Sequence, residues 1–254
     1  MKLRVLGCYG GELPGFRTSS FLVNDHILLD AGAVTSVMKL EEQMKIDYIL
    51  ITHSHIDHIK DILFLADNVC GKNSNTIKII STAKNLKMLK KHLLNNDIWP
   101  DFSVLPSKHT PVLEFIPIQE GQRVRLRDII IEPIRVSHTV ETIGYIIMDR
   151  DSTIIFSSDT GPTNNLWRRA NSLKNLKAIF IETSYPNQMK DMADISKHFT
   201  PAMLSKEIKK LKQPDVKFLV YHMKPLYYKQ IIRELKKIKN KKIHILKQGA
   251  TLKF

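Results

Sequence analysis

The chain has 254 residues, 43% of them hydrophobic, and carries 39 Lys and Arg against 25 Asp and Glu for a net charge of +14. That size and apolar content can bury a sizeable core, and the absence of internal repeats, low-complexity tracts and linkers predicts one domain over residues 1–254. No run approaches the roughly 18 apolar residues of a membrane span, the opening residues read as a strand and not as a signal peptide, and two cysteines, Cys8 and Cys70, make no disulfide framework, so a cytoplasmic location is expected.

Leu3, Val5 and Gly7 alternate as a strand, and Gly10-Gly11 and Pro14-Gly15 mark turns. Strands at 19–23 and 26–30 flank Asn24-Asp25, and Asp30-Ala31-Gly32 closes the second. Residues 33–45 are expected to be helical. An apolar strand at 46–51 then runs into Thr52-His53-Ser54-His55-Ile56-Asp57-His58. Ile59, Ile62, Leu63, Ala66 and Val69 follow at helical spacing, so a helix starts near Asp57 or His58.

A short strand at 78–81 precedes a helix over 83–94, with Thr82 as its cap. Residues 95–111 read as irregular. Strands follow at 112–117, 122–126 and 129–136, with Arg123, Arg125 and Arg127 alternating toward solvent. His138 lies just past the last of these. Three more apolar strands, near 152–158, 178–183 and 216–222, end at Asp159, Glu182 and His222, and a strand at 143–148 precedes them. Helices are expected from Thr200-Pro201 to Leu211 and over 226–239, with closing strands at 243–246 and 251–254 around Gly249.

The lysines concentrate at 84–91, 206–217 and 229–242, in amphipathic helical patterns whose polar face they would cover. Such a surface attracts polyanions and anionic small molecules. It lacks the aromatic interleaving of a groove for single-stranded nucleic acid, so nucleic acid is not the favoured partner. Nothing suggests a membrane, and a homodimer is left open.

Three imidazoles and one carboxylate fall within the six residues His53 to His58. On extended backbone His53 and His55 point the same way, while Asp57 and His58 point slightly past them. That geometry suits two adjacent divalent metals better than one, and neutral imidazole with carboxylate is a donor set for zinc, manganese or iron. The motif, His138, Asp159, Glu182 and His222 all follow apolar strands, and strand ends along one edge are where a site can be assembled. His26, His92, His109 and His244 lack such a context and are expected at the surface.

The His-x-His-x-Asp-His pattern resembles the metallo-β-lactamase superfamily. The resemblance implies an α/β fold, an αββα sandwich of two mixed β-sheets flanked by helices, with a metal site along one edge. It implies that His53, His55 and His138 hold a first metal, that Asp57, His58 and His222 hold a second, and that Asp159 bridges them. Zinc comes first among the candidate ions, then manganese or iron. Asp30, in Asp-Ala-Gly, is read as a supporting carboxylate and not as a ligand.

Four further segments are Gly7-Cys8-Tyr9-Gly10-Gly11, Phe156 to Pro162, Ile181 to Asn187 and Ser196-Lys197-His198-Phe199-Thr200-Pro201. Together with Tyr221-His222-Met223-Lys224-Pro225 they resemble the class II 3′,5′-cyclic-nucleotide phosphodiesterases, in order from residue 7 to about 226. That family usually has Leu where Ile56 stands, Gly where Asp61 stands, and Ser-Pro or Ser-Ala where Ala66-Asp67 stand; Asp61 is expected to alter the shape of the substrate site.

The resemblance implies hydrolysis of a cyclic nucleotide such as cyclic AMP to the 5′-monophosphate by a hydroxide bridging the metals. Asp57 would bind metal and orient the hydroxide, His198 would protonate the leaving 3′ oxygen, Glu182 would orient His198, and Lys224 would either contact phosphate or face solvent. A nuclease of the transfer-RNA 3′-processing kind shares this layout and would suit the positive charge, although no long basic arm is inserted to clamp RNA. A third reading is a metal-binding protein without activity.

Overall fold

A computed structural model describes residues 1–72 and 75–254. Among them, two mixed sheets of seven strands each stack face to face. The first has the order Thr251–Lys253, Lys2–Gly7, Ser20–Val23, Ile27–Leu29, Tyr48–Leu50, Ile77–Ser81, Leu113–Pro117. Its first four strands pair antiparallel, and from Ile27–Leu29 onward the pairing is parallel. The second sheet runs Ile243–Ile245, Lys217–Tyr221, Leu176–Glu182, Thr153–Phe156, Ile143–Met148, Ile129–Arg135, Val124–Leu126. There the first four strands are parallel and the remainder antiparallel.

Strand burial follows from this layering. Val5, Phe21, Leu29 and Leu50 of the first sheet meet Ile131, Tyr145, Phe156, Phe180 and Tyr221 of the second in one central core. The outer face of the first sheet is covered by the helices Asp61–Val69 and Ala83–His92, through Ile62, Leu65, Leu86 and Leu89. That of the second is covered by Asn164–Ser172, Pro201–Glu207 and Tyr228–Lys237, through Trp167, Leu204 and Ile231. Parallel strands buried on both faces read as near-continuous apolar runs, which is why the segments ending at Asp159, Glu182 and His222 are so plain in the sequence. This is the expected αββα sandwich. Among the described residues no helix is long and apolar enough to cross a membrane.

Three expectations are corrected. Residues 33–45 are not one helix: only Leu40–Gln43 is helical, its start fixed by the Lys39 amide, which donates to the Glu42 carboxylate at 2.9 Å. Before it, the amides of Val34 and Thr35 bond the Asp61 carboxylate at 2.6 and 2.8 Å, which holds that stretch as turns. Helices at Asn164–Ser172 and Lys190–Ser196 were not anticipated; their Asn, Ser and Asp content is poor in helix propensity, and burial of Leu166, Trp167, Ala170 and Ala193 decides the conformation. His26 is buried against the carbonyl of Asn24, whereas His92, His109 and His244 are exposed as expected.

The lysines of the three helical clusters lie on solvent faces as their spacing predicts. Arg123, Arg125 and Arg127 are exposed, with Arg123 pairing to Glu132 and Arg127 to Asp47. Around Asn24-Asp25 both turn residues have positive φ, 46° and 63°, as a tight right-twisting hairpin requires.

Candidate metal centre

Residues 51–55, without regular structure but extended at His55, link the strand Tyr48–Leu50 to the helix Ile56–Ile59. His53 and His55 therefore project from this link, and Asp57 and His58 from the first helical turn. The other groups come from the carboxyl ends of strands in the second sheet. His138 follows Ile129–Arg135, Asp159 follows Thr153–Phe156, Glu182 ends Leu176–Glu182, and His222 follows Lys217–Tyr221. Because three of these strands are parallel neighbours, their ends fall on one edge, and sheet stacking brings that edge over the motif.

One ligand-type atom from each of His53, His55, His138 and Asp159 lies within 4.8 Å of the rest, and the same holds for Asp57, His58 and His222. Asp159 stands between the two groups: its Oδ2 is 3.8 Å from His53 Nε2, 3.4 Å from His58 Nε2 and 3.2 Å from His222 Nε2. Asp57 Oδ2 is 3.7 Å from His58 Nε2 and 3.5 Å from His222 Nε2, and its side chain, 24% exposed, faces the mouth. Asp159, His198 and His222 form a third such group.

These residues fit divalent cations on two grounds. His53 Nε2 and Asp159 Oδ1 are buried with no hydrogen-bond partner, a costly state that a cation between them relieves. Imidazole nitrogens also converge, His55 Nδ1 on His138 Nε2 and His58 Nε2 on His222 Nε2, each at 3.3 Å. A nitrogen–oxygen donor set without sulfur is one that zinc, manganese or iron accepts.

Behind the ligand-type atoms, the far nitrogens are fixed by hydrogen bonds that set ring orientation. His58 Nδ1 donates to Asp30 Oδ2 at 2.7 Å. Asp30, fully buried and at φ 55°, accepts in turn from the amide and hydroxyl of Thr52. The Thr52 hydroxyl also lies 3.0 Å from His53 Nδ1. On the opposite side the Ser184 hydroxyl lies 2.9 Å from His222 Nδ1 and donates to Glu182 Oε2 at 2.9 Å. Glu182 Oε1 accepts from His198 Nδ1 at 2.7 Å.

Charge is distributed accordingly. Burial depresses the His53 pKa far below the usual value, and the neighbouring imidazoles add to that. Burial also opposes a charged His58, but Asp159, Asp30 and Asp57 outweigh it and raise its pKa well above normal. For Asp159, burial is overcome by His222 and His58, which hold the carboxyl far below its ordinary range. At His198 burial again lowers, yet the Glu182 carboxylate wins and the pKa is raised.

All the candidate residues of the sequence analysis thus converge here: His53, His55, Asp57, His58, His138, Asp159, Glu182, His198 and His222. Lys224 stands on the rim, its amide bonded to the Ser184 carbonyl. Asp61 does not shape the site; its carboxylate turns away to the Val34 and Thr35 amides and the Thr35 hydroxyl. Ser184 and Thr52 were missed as supporting groups. Thr52 adjoins the motif and Ser184 follows Glu182 by two positions, but a hydroxyl's partners cannot be read from its neighbours in the chain. Beside His138 opens a cleft of about 840 Å³ carrying Lys84, Arg135, Arg168 and Lys197, with Glu120 and Glu141 among them.

An αββα sandwich with an imidazole–carboxylate cluster at its strand ends defines a metal-dependent hydrolase of the metallo-β-lactamase fold. The family model described as beta-lactamase superfamily domain matches residues 26–240, and the chain belongs to that superfamily. It is 24% identical to a probable 3′,5′-cyclic-nucleotide phosphodiesterase of Yersinia pestis, over 98% of this chain and 88% of that protein. It is 25% identical to the ribonuclease Z of Metallosphaera sedula, over 60% of this chain and 50% of that one. Among solved structures, unliganded yeast PDE1 superposes with a TM-score of 0.83 at 18% identity, covering 98% of each chain.

Proposed function

We propose that this metal-dependent phosphodiester hydrolase opens a 3′,5′-cyclic nucleotide, such as cyclic AMP, to the 5′-monophosphate. The buried Glu182–His198 pair beside Asp159 and His222 supports phosphodiester hydrolysis, and the observation that favours a cyclic nucleotide is the near full-length likeness to a phosphodiesterase-named relative. In our reading His53, His55 and His138 would hold one divalent ion, Asp57, His58 and His222 would hold another, and Asp159 would serve both; zinc would suit this donor set first, then manganese or iron. Bound there, such ions lower the pKa of water from 15.7 toward about 7 and polarise a phosphoryl oxygen.

The remaining work falls to the chain's own side chains. With Nδ1 of His198 committed to Glu182, Nε2 is the nitrogen left for a substrate, and the Glu182 carboxylate favours the protonated ring that can supply the departing 3′ oxygen. Asp57, at the mouth, orients the attacking oxygen. Phosphodiesterase-named relatives aligned over most of the chain support this substrate class.

A second reading, a transfer-RNA 3′-processing nuclease, draws support from the basic cleft beside His138 and from the ribonuclease Z relatives. Purified protein assayed with cyclic mononucleotides, cyclic dinucleotides and precursor tRNA, each with and without chelator, separates the two. The expected outcome is chelator-sensitive release of a 5′-monophosphate from a cyclic mononucleotide. Cleavage at the tRNA 3′ side without cyclic-nucleotide turnover would overturn the proposal in favour of the nuclease, and no turnover of any substrate in metal-loaded protein would favour a non-enzymatic metal protein.

A further inference from the structure

A second pocket, of about 450 Å³ and sharing no lining residue with the basic cleft, is lined by Leu13, Tyr185, Met189, Met192, Leu226 and Tyr227 among others. Its position follows from the strands that build the site. Tyr185 follows Glu182 by three residues, and its ring centroid is 5.8 Å from that of His198. Leu226 and Tyr227 lie four and five residues past His222, in the 3₁₀ turn Pro225–Tyr227. The loop bearing Leu13 is drawn in by the bridge between Tyr9 and Met223 and by the Gly10 amide, which donates to the Met223 carbonyl. The pocket thus adjoins the candidate proton donor through Tyr185 and is lined by the segment that follows the candidate ligand His222.

We propose that this pocket takes the nucleobase of the substrate. The inference rests on the reading of the centre as one that acts on a nucleotide, and it names the part of the ligand that reading leaves without a place. A nucleobase is flat, uncharged and aromatic. The walls offered to it are two phenol rings, two thioethers and aliphatic carbon, with Lys224 and Glu12 as the only charged side chains in the lining. Aromatic rings take bases by stacking with little regard to sequence, and methionine adapts its shape to a planar partner. Leu226 is 77% exposed, Leu13 49% and Met192 46%, an unusual concentration of apolar surface to leave in water at the rim of a charged site.

The contrast with the basic cleft gives the orientation. Lys84, Arg135, Arg168 and Lys197 would offer a neutral base little, and the apolar pocket would offer a phosphate little. A base in the apolar pocket places its sugar toward His198 and its phosphorus toward the Asp159 side of the cluster, the order that protonation of a 3′ oxygen by His198 requires.

The test compares two ligands that differ only in the base. Calorimetric titration of the metal-loaded protein with 5′-AMP and with ribose 5-phosphate should show AMP bound roughly five- to a hundredfold more tightly, the range for one stacked base. Replacing the exposed Met192→Ser and Leu226→Ser together, and separately Tyr185→Ala, should bring the two ligands within about threefold of each other while ribose 5-phosphate affinity stays constant. Equal affinities in the unaltered protein, binding of neither ligand, or a gap that survives in the double variant would overturn the proposal. A double variant that dissociates a dimer yet keeps the gap would assign this surface to self-association instead. Turnover of cyclic AMP is measured separately: a preserved AMP preference without turnover would sink the phosphodiesterase reading and leave the base pocket standing.

Discussion

If two ions bind as proposed, Asp159, which lies beside both ligand groups, would serve both, and single residues at this site would differ in what they control. A carboxylate touching both groups has no substitute, so Asp159→Ala should leave metal-saturated protein with well under one equivalent by elemental analysis, whereas His222→Ala should keep about one, on the shared-ligand arrangement of two-metal sites. Retention of two equivalents in Asp159→Ala would remove Asp159 from the ligand set. His198 has a different task, because the nucleophile can form without it. His198→Ala should preserve metal content and slow cyclic-nucleotide turnover about 10²–10⁴-fold, the typical contribution of a positioned acid. A diester with a nitrophenolate leaving group barely needs a proton, so its hydrolysis should suffer much less; equal losses on both substrates would reassign His198 to substrate positioning.

Glycine matters at two places near the cluster: Gly32, where a Cβ would lie 2.0 Å from the Asp57 carbonyl oxygen, and Gly10. A Cβ on Gly10 would lie 2.6 Å from both Nδ1 and the carbonyl oxygen of His222. His222 itself sits at φ 64° and has no slack, since its amide donates to the Cys8 carbonyl and its ring meets Ser184. Gly10→Ala should therefore weaken metal binding by roughly 10- to 100-fold, comparable to losing an outer partner of a metal-bound histidine. Competition with a chromogenic chelator reads this directly, and unchanged affinity would mean the loop yields.

At the scale of elements, the helix Asp61–Val69 joins the motif to the turn ahead of Leu40–Gln43. Asp61, 5% exposed, is the joint, since its carboxylate accepts the Val34 and Thr35 amides. Asp61→Ala leaves those donors without their acceptor, at a cost of about 1–3 kcal/mol for a buried group. Urea unfolding should report that loss, while metal stoichiometry stays unchanged because the side chain faces away from the cluster. A fall in metal content at unchanged stability would contradict this placement. The strand ends carry strain of the same kind: Asp30, Ser158 and His222 all have positive φ where the backbone leaves a strand to present a side chain. Such conformations cost about 1–3 kcal/mol each and persist where the surroundings over-determine them, as the Thr52, Cys8 and Ser184 hydrogen bonds do at Asp30 and His222.

For the whole molecule, the buried cluster couples metal to stability. His53 and His58 are fully buried and Asp159 is 1% exposed, with unpaired atoms at its centre. Ions that bind only the folded chain stabilise it by about 2.7 kcal/mol at a hundred times Kd. For a chain of this size that corresponds to a melting shift of roughly 5–10 °C. Calorimetry before and after chelation should show at least this loss, and an unchanged Tm would mean that the cluster does not hold ions in solution.

Much of this was legible in the chain because its signals are local. Apolar runs announce buried parallel strands, Thr200-Pro201 announces a helix start, and His53 to His58 carries its own geometry in its spacing. His138, Asp159, Glu182 and His222 could be picked out because each follows such a run. Tertiary structure alone decided the rest. The inward burial of His26, the turning away of Asp61, and the helices at Asn164–Ser172 and Lys190–Ser196 depend on neighbours distant in sequence. So do the joining of Glu182, His198 and His222 through the Ser184 hydroxyl and the separation of a basic cleft from an apolar pocket. Periodicity and spacing act over a few residues, whereas the direction of a polar side chain is set by whichever partner the sheet order brings within hydrogen-bond reach.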